Sequence, residues 1–217
     1  MNKKLFIMLA FFALTMAFSV SKAFADYYTS GVVLSQGSKS AEVTSLQNDL
    51  KKLGFFQGDA TGYFGSYTKQ SVINYQRNNY LTQDGVVGHQ TSKEIKIDSV
   101  SQSARSYYGV PYVWGGTTPS GFDCSGFTQY VMQQNSIWLP RTADQQYLGG
   151  TWVDKSALKP GDLVFFSTYK AGPSHVGIYL GNDEFMHASS GQGIITTSEL
   201  SNSYFAGHYL GAKRIMT

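Results

Sequence analysis

Apolar positions between residues 43 and 53 recur at steps of three and four: Val43, Leu46, Leu50 and Leu53, with Gln47 on the same stripe. That spacing predicts an amphipathic helix, and Gly54 directly after it suits the left-handed position past a helix end. Val72, Tyr75 and Gln76 point to a second helix, and a third, short one is expected from near Gln90. One turn pattern occurs twice in this region: G-x-x-G-x-x-T at Gly62–Thr68 and again at Gly85–Thr91. Each copy suits a tight glycine turn followed by a helix start, with Ser66 or Thr68, and His89 or Thr91, near the cap. Residues 31–97 therefore read as a small all-α bundle of three helices. Residues 98–103, Asp-Ser-Val-Ser-Gln-Ser, are polar and lack Gly and Pro, and are expected to form a short connector or frayed helix, not a long flexible tether.

The pattern changes over 104–217. A glycine-rich loop, Gly115–Gly121, precedes Phe127, Tyr130 and Val131, which share one helical face. Asp123 is a good N-cap type, so Cys124 falls in the first turn of that helix. Further on the period becomes two. Val176, Ile178 and Leu180 make one face of a strand and His175, Gly177 and Tyr179 the other. Asn182-Asp183 turns the chain, and Glu184–Ala188 returns as a second strand. An odd loop, or a bulge with the same effect, sets His187 opposite Gly177 and diagonal to His175 on one face; a plain two-residue loop sends it to the other side. The fold class is α+β.

The N-terminus changes the charge argument. Asn2-Lys3-Lys4 is followed by an almost wholly apolar run from Leu5 to Val20 and then Ala23-Phe24-Ala25. This has the layout of a cleaved secretory signal over 1–25 and is short for a spanning helix. The expected mature chain starts at Asp26, keeps no membrane anchor and is exported. The full chain carries 17 basic and 14 acidic residues. Loss of Lys3, Lys4 and Lys22 leaves 14 of each, so no basic face remains to suggest a nucleic-acid partner.

The single cysteine rules out an internal disulfide. Cys124 is either a small buried hydrophobe or a nucleophile. Its helix-start position favours the nucleophile, because unpaired N–H groups and the helix dipole stabilise a thiolate and a developing oxyanion. That predicts a thiol lowered from about 8.5 toward roughly 3.5–7.5 with help from a histidine. His175 is the expected base and His187 the residue that fixes its ring. His89 lies in the helical module and His208 near the last strand. A zinc site of Cys124, His175 and His187 is the competing reading, but the two histidines lack the tight helical spacing of zinc pairs. No metal or other cofactor is expected.

The N-terminal pieces Val43-x-x-Leu46-Gln47-x-x-Leu50, Gly62-Tyr63-Phe64-Gly65 and Asp84-Gly85-Val86-Val87-Gly88 resemble the type 1 peptidoglycan-binding module. The C-terminal pieces Gly109–Gly116, Gly121–Phe127, Leu139–Thr142, Leu158–Phe166, Ser174–Gly181 and Met186–Ala188 resemble the NlpC family of papain-like cell-wall cysteine peptidases. The second resemblance implies a Cys-bearing helix packed on an antiparallel sheet, with Cys124, His175 and His187 catalytic. It implies substrate-binding or oxyanion positions at Tyr112, Trp114, Asp123, Ser125, Arg141 and Ser174. Asp123 and Ser125 are implied to hold a free peptide amine in members with that preference. Where members often carry Ser after the arginine loop, this chain has Ala143. The implied partners are peptidoglycan glycan and stem peptide, and the implied reaction is hydrolysis of the γ-D-glutamyl–diamino acid bond by a secreted, wall-associated monomer. A non-catalytic wall-binding protein, and an amidase or acyltransferase on the same fold, stay open.

Overall fold

The computed structural model describes Tyr28 and residues 30–216. The expected signal segment and the Asp26 start lie outside the described residues. Helix α1 (Ala41–Lys52) begins at Ser40, whose hydroxyl accepts from the Val43 N–H at 3.4 Å. It ends at Leu53 with Gly54 at φ +83°; Phe55 N–H reaches Leu50 O and Gly54 N–H reaches Lys51 O. These two bonds satisfy the last carbonyls and turn the chain away.

Helices α2 (Ser66–Asn78) and α3 (His89–Arg105) each start directly after the second glycine of the repeated turn. The repeat has one physical meaning in both copies. A buried glutamine on the preceding helix accepts from the first glycine's N–H and donates to the threonine hydroxyl: Gln47 with Gly62 and Thr68, Gln76 with Gly85 and Thr91, all between 2.9 and 3.2 Å. The threonines are thus clamps for the glutamines and do not cap the helices.

Helix α3 corrects two expectations. It is 17 residues long, not short, and it contains the whole expected connector 98–103. Three polar residues of that stretch, Asp98, Ser99 and Ser103, meet polar partners, while Gln102 faces solvent. Tyr75 donates to Asp98 at 2.7 Å, Ser99 donates to Asp49 at 2.7 Å, and Asn135 donates to Ser103 at 3.1 Å. Ile95 packs in the core of the small bundle, whereas Ile97, Val100 and Ala104 pack in the core of the larger domain. One helix therefore serves both units, and Lys52 Nζ reaches across to Asn135 Oδ1 at 2.8 Å.

The larger domain begins with a minimal hairpin, β1 (Thr117–Thr118) and β2 (Gly121–Phe122), followed by α4 (Cys124–Gln134) and α5 (Ala143–Leu148). An antiparallel six-stranded sheet then forms from β3 (Thr151–Val153), β4 (Leu163–Phe166), β5 (His175–Gly181), β6 (Glu184–Ser189), β7 (Ile194–Glu199) and β8 (Tyr209–Arg214), with α6 (Ser203–His208) before the last strand. The order across the sheet is β3-β8-β4-β5-β6-β7. Leu163, Phe165, Val176, Ile178 and Met186 face α4, while Val164, Phe166, Phe185 and Ala212 form a second core on the other face.

The β5–β6 hairpin has a two-residue turn, Asn182-Asp183, with both residues at positive φ. Gly181 pairs with Glu184, but a bulge at Leu180 then shifts the register so that Ile178 pairs with Met186. The bulge, not an odd loop, carries His187 onto the face of His175. Among the described residues, no helix is long and apolar enough to cross a membrane.

Candidate active site

Cys124 opens α4 because Asp123 caps it. The Asp123 carboxylate accepts from the Gly126 N–H at 2.7 Å and from the Gly115 N–H at 3.0 Å, so the same side chain holds the helix start and the glycine loop. Gly126 is required here: a Cβ on it comes within 2.1 Å of Gly116 O. Arg141 adds a two-pronged ion pair to Asp123, Nη1 to Oδ1 at 3.0 Å and Nη2 to Oδ2, and also donates to Ser125 Oγ at 3.0 Å. The Arg141 loop is fastened by Gln146, fully buried in α5, which donates to Pro140 O and Ser125 O and accepts from Thr128.

Cys124 is 8% exposed, and its sulfur borders a cleft of about 360 Å³. Tyr112, Trp114, Asp123, Ser125, Arg141 and Ser174 line the same cleft. Tyr169, unremarked in the sequence, does too; its ring meets Trp114 edge-on at 5.4 Å. Ala143 lines the cleft as well.

The sulfur lies against the start of β5, 3.8 Å from Ser174 O, with the Val176 N–H also directed at it. His175 sits between those two residues. Its Nε2 is 2.7 Å from His187 Nδ1, and His187 Nε2 is 3.0 Å from Ser198 Oγ, forming a chain of two imidazoles and a hydroxyl. Phe185 and Phe205 flank the pair with ring centroids 4.9 and 5.2 Å from that of His187. Ser198 was not singled out in the sequence; a serine in an alternating strand carries no signal until the register of β6 and β7 is known. Among the described residues, no hydrogen bond joins the thiol to the His175 ring. His208 is remote in role, its Nδ1 bonded to Tyr204 O within α6.

The electrostatics reverse the sequence expectation. Burial pushes the Cys124 thiol up to about 11, the Asp123 charge adding to the rise, against the pull of backbone N–H groups of residues 176, 125 and 124. Burial pushes the His175 imidazole down to about 4, partly offset by Asp123. His187 is held well below its ordinary value by burial and by its neighbour His175. The resting pair is thus thiol and neutral imidazole. The helix N-terminus does favour the thiolate, but desolvation outweighs it. Tyr112 is raised to about 12, first by burial and then by the nearness of Cys124, so it is a phenol that can donate. Among the described residues, no group of three or more His, Cys, Asp or Glu is arranged to hold a metal ion.

Three comparisons bear on this arrangement. The model of the NlpC/P60 family matches residues 109–214, and a peptidoglycan binding domain model matches residues 39–95. A Bacillus subtilis protein named Gamma-DL-glutamyl hydrolase is 42% identical over 163 residues, covering 72% of this chain and 39% of its own. Escherichia coli "Probable endopeptidase NlpC" is 42% identical over 121 residues, covering 55% of this chain and 78% of its own. A crystal structure of an NlpC/P60 family protein from Bacillus cereus superposes with a TM-score of 0.53 at 32% identity, over 56% of this chain and 40% of that one. The chain spans 35–39% of the length of the first curated relatives it matches. The capped cysteine and both histidines of the imidazole chain fall inside the matched span 109–214, and one relative is matched over nearly four-fifths of its length, so this chain belongs to the NlpC/P60 family.

Proposed function

We propose that this protein is an exported, wall-associated cysteine endopeptidase that cleaves the γ-D-glutamyl–diamino acid bond of peptidoglycan stem peptides. Residues 104–217 act as the catalytic unit and residues 31–97 as the wall-binding unit. The observation that carries this reading is the position of the Cys124 sulfur, at a helix start on the floor of a cleft and against the strand that bears the paired histidines. The relative named Gamma-DL-glutamyl hydrolase supports the choice of bond.

The chain's own groups supply each step. His175 Nδ1 is the ring nitrogen left open by the His187 contact, and it takes the thiol proton as Sγ attacks the carbonyl. For Nδ1 to accept, Nε2–H must donate to His187 Nδ1, and His187 Nε2–H must in turn donate to Ser198 Oγ. The two measured contacts, 2.7 and 3.0 Å, permit that proton arrangement. The oxyanion is met by N–H groups of the first turn of α4 and by the Tyr112 phenol. His175 then returns the proton to the departing amine, and water hydrolyses the thioester.

Asp123 is already committed to Arg141 and two backbone N–H groups, so it has little capacity left for a free amine. That supports intact stem peptides, still joined to sugar, as the preferred substrate. The test is digestion of purified sacculi followed by mass spectrometry. The expected products end in γ-D-glutamate and carry a new amine on the diamino acid, and Cys124→Ala releases none. Products cut at the sugar–peptide amide or at D-alanine overturn the bond assignment, and release by Cys124→Ala overturns the nucleophile.

A further inference from the structure

A polar groove of about 400 Å³ lies where the two units meet. One wall is a stripe of α1 at steps of three and four: Ala41, Thr44, Ser45, Asn48, Asp49 and Lys52. This stripe is distinct from Val43, Leu46 and Leu50, which pack inside the small bundle. It runs roughly 16 Å along the helix axis. The other wall is the end of α4, Gln134 with Asn135 and Ser136 just past it, and Lys96 of α3 borders the groove as well. Both units therefore build it. It is separate from the catalytic cleft, with which it shares no lining residue. Cys124 opens α4 and Gln134 closes it, roughly 15 Å apart along the axis.

The groove combines a fixed charged base with free polar groups. Lys96, 1% exposed, donates to Asp49 Oδ2 at 2.7 Å, and Ser99 donates to Asp49 Oδ1 at 2.7 Å. Lys52 Nζ donates to Asn135 Oδ1 at 2.8 Å and to Ser99 Oγ at 2.9 Å. Two ammonium groups against one carboxylate leave one positive charge in excess among the lining residues. Burial holds the Lys52 ammonium below its ordinary value while Asp49 pulls the other way, so an anion beside it is favourable. Among the described residues, no hydrogen bond engages the side chains of Ser45, Asn48, Gln134 or Ser136. They offer two hydroxyls and two amides. Ser136 has φ +63°, a left-handed position past a helix end that favours Gly or Asn. The chain keeps a hydroxyl there despite the backbone strain, and that residue borders the groove.

We infer that this groove binds a saccharide chain that carries amides and carboxylates, gripped by both units at once. The inference rests on the wall-binding reading above, and places the site at the junction instead of within residues 31–97 alone. Free side-chain amides and hydroxyls pair with acetamido and hydroxyl groups, and the excess charge at Lys52 pairs with a carboxylate. The length of the α1 stripe suits several linked units. Ala41 is the one apolar residue in the lining, which leaves no place for the side chains of a peptide. One excess charge is too little for a nucleic acid or a polyphosphate. No aromatic ring lines the groove, so the grip is by hydrogen bonds and not by stacking. A strand held at the far end of α4 is fixed relative to the cleft, because one rigid helix borders both.

The probes are peptide-free oligomers of alternating N-acetylglucosamine and N-acetylmuramic acid, the same oligomers with their carboxylates amidated, and a soluble stem peptide without sugar. Binding to the full chain is measured by calorimetry and by retention on sacculi, and cleavage of the stem peptide is followed alongside. Asn48→Ala combined with Gln134→Ala is expected to weaken oligomer binding about tenfold, and Ser136→Gly about threefold. Ser136→Gly is also expected to raise the melting temperature, because glycine relaxes the left-handed position; opposite signs separate a lost contact from a lost fold. Lys52→Gln is expected to abolish the preference for the carboxylate oligomer over the amidated one. Stem-peptide kcat/KM is expected to stay unchanged in all of these variants. Unchanged oligomer binding in the double variant and in Ser136→Gly overturns the groove and leaves the wall-binding reading standing. Equal wild-type affinity for the two oligomers overturns the carboxylate assignment. A wild type that holds neither oligomers nor sacculi overturns the wall-binding reading and the groove with it. A stem peptide left uncut, with oligomer binding lost in the variants, overturns the peptidase reading and supports the groove.

Discussion

Asp123 and Arg141 meet through two parallel hydrogen bonds next to Cys124, and Asp123 is also the N-cap of the helix that carries this cysteine. One carboxylate therefore sets the helix start and bears on two titrations: its charge raises the Cys124 thiol and raises the His175 imidazole. Asp123→Asn removes that charge and leaves an amide oxygen for the cap. The thiol is then expected to fall toward neutrality, and alkylation by iodoacetamide at pH 8 to speed up several-fold. Asp123→Ala loses the cap as well and is expected to cost about 1–2 kcal/mol of stability in urea unfolding. Slower alkylation in Asp123→Asn contradicts the sign of the charge effect.

The pH dependence follows from a thiol near 11 and an imidazole near 4. His175 must be neutral to accept the thiol proton, so kcat/KM is expected to rise as pH climbs through about 4 and stay level across neutrality. Alkylation of Cys124 in the free protein is expected to keep accelerating above pH 8. A plateau from pH 6 upward indicates a resting thiolate and contradicts the proposed neutral pair. Stability carries the same signature. The unfolded chain binds a proton near 6.5 and the folded one near 4, so acid favours unfolding between those values. The contribution is whole above 6.5 and is lost as pH falls toward 4, on the order of 3 kcal/mol for a shift of this size.

In the proposed mechanism His187 acts through His175, which it contacts at 2.7 Å. His187→Ala removes the acceptor for His175 Nε2–H and is expected to lower kcat by about 10²-fold, within the range of a general-base contribution, with a much smaller change in KM. His187→Gln restores an amide oxygen acceptor and is expected to recover part of the rate. Ser198→Ala, one step further out, is expected to cost only a few-fold. An equal loss in Ala and Gln variants points to packing against Phe185 and Phe205 rather than ring orientation.

Local chemistry made the catalytic half legible. Asp before Cys announced a capped helix, and the alternation from His175 to Leu180 announced a strand with one apolar face, which the fold turns toward that helix. The pairing of His187 with His175 depended on register, and the sequence narrowed it to two cases that the Leu180 bulge decides. The thiol titration was misread because the helix dipole is visible in a sequence and desolvation is not. The regular helix over 98–103 was hidden for a related reason: polarity suggests solvent, yet Asp98, Ser99 and Ser103 face Tyr75, Asp49 and Asn135, which come from distant parts of the chain.

That stretch gives a direct test of how the two units are joined. Val100 has no exposed surface and packs with the larger domain's core. In an exposed connector, Val100→Asp is nearly neutral. Within α3 it buries a carboxylate among apolar neighbours and is expected to destabilise by about 3 kcal/mol or more. Thermal unfolding of the full chain distinguishes the two, and an unchanged midpoint contradicts the shared helix.

Gly177 controls the spacing of the imidazole pair from the backbone side. It lies two residues past His175 on the same face of β5, and its missing side chain lets β6 come close. A Cβ at 177 falls 2.6 Å from the Phe185 ring, 2.8 Å from Met186 O and 3.2 Å from His187 Cβ. Gly177→Ala must therefore push β6 away at the residues that hold His187. The His175 Nε2–His187 Nδ1 bond, 2.7 Å, has little room to stretch before it fails. The cleft of Tyr112, Arg141 and Ser174, where the proposed mechanism puts the acyl side of the substrate, does not include this contact. The expected outcome is a kcat at least tenfold lower with KM changed much less, and a lowered melting temperature. Adding Phe185→Leu relieves the ring contact but leaves the Met186 carbonyl in place, so the double variant is expected to regain only part of the rate. Full activity in Gly177→Ala shows that the spacing of the two rings does not limit turnover.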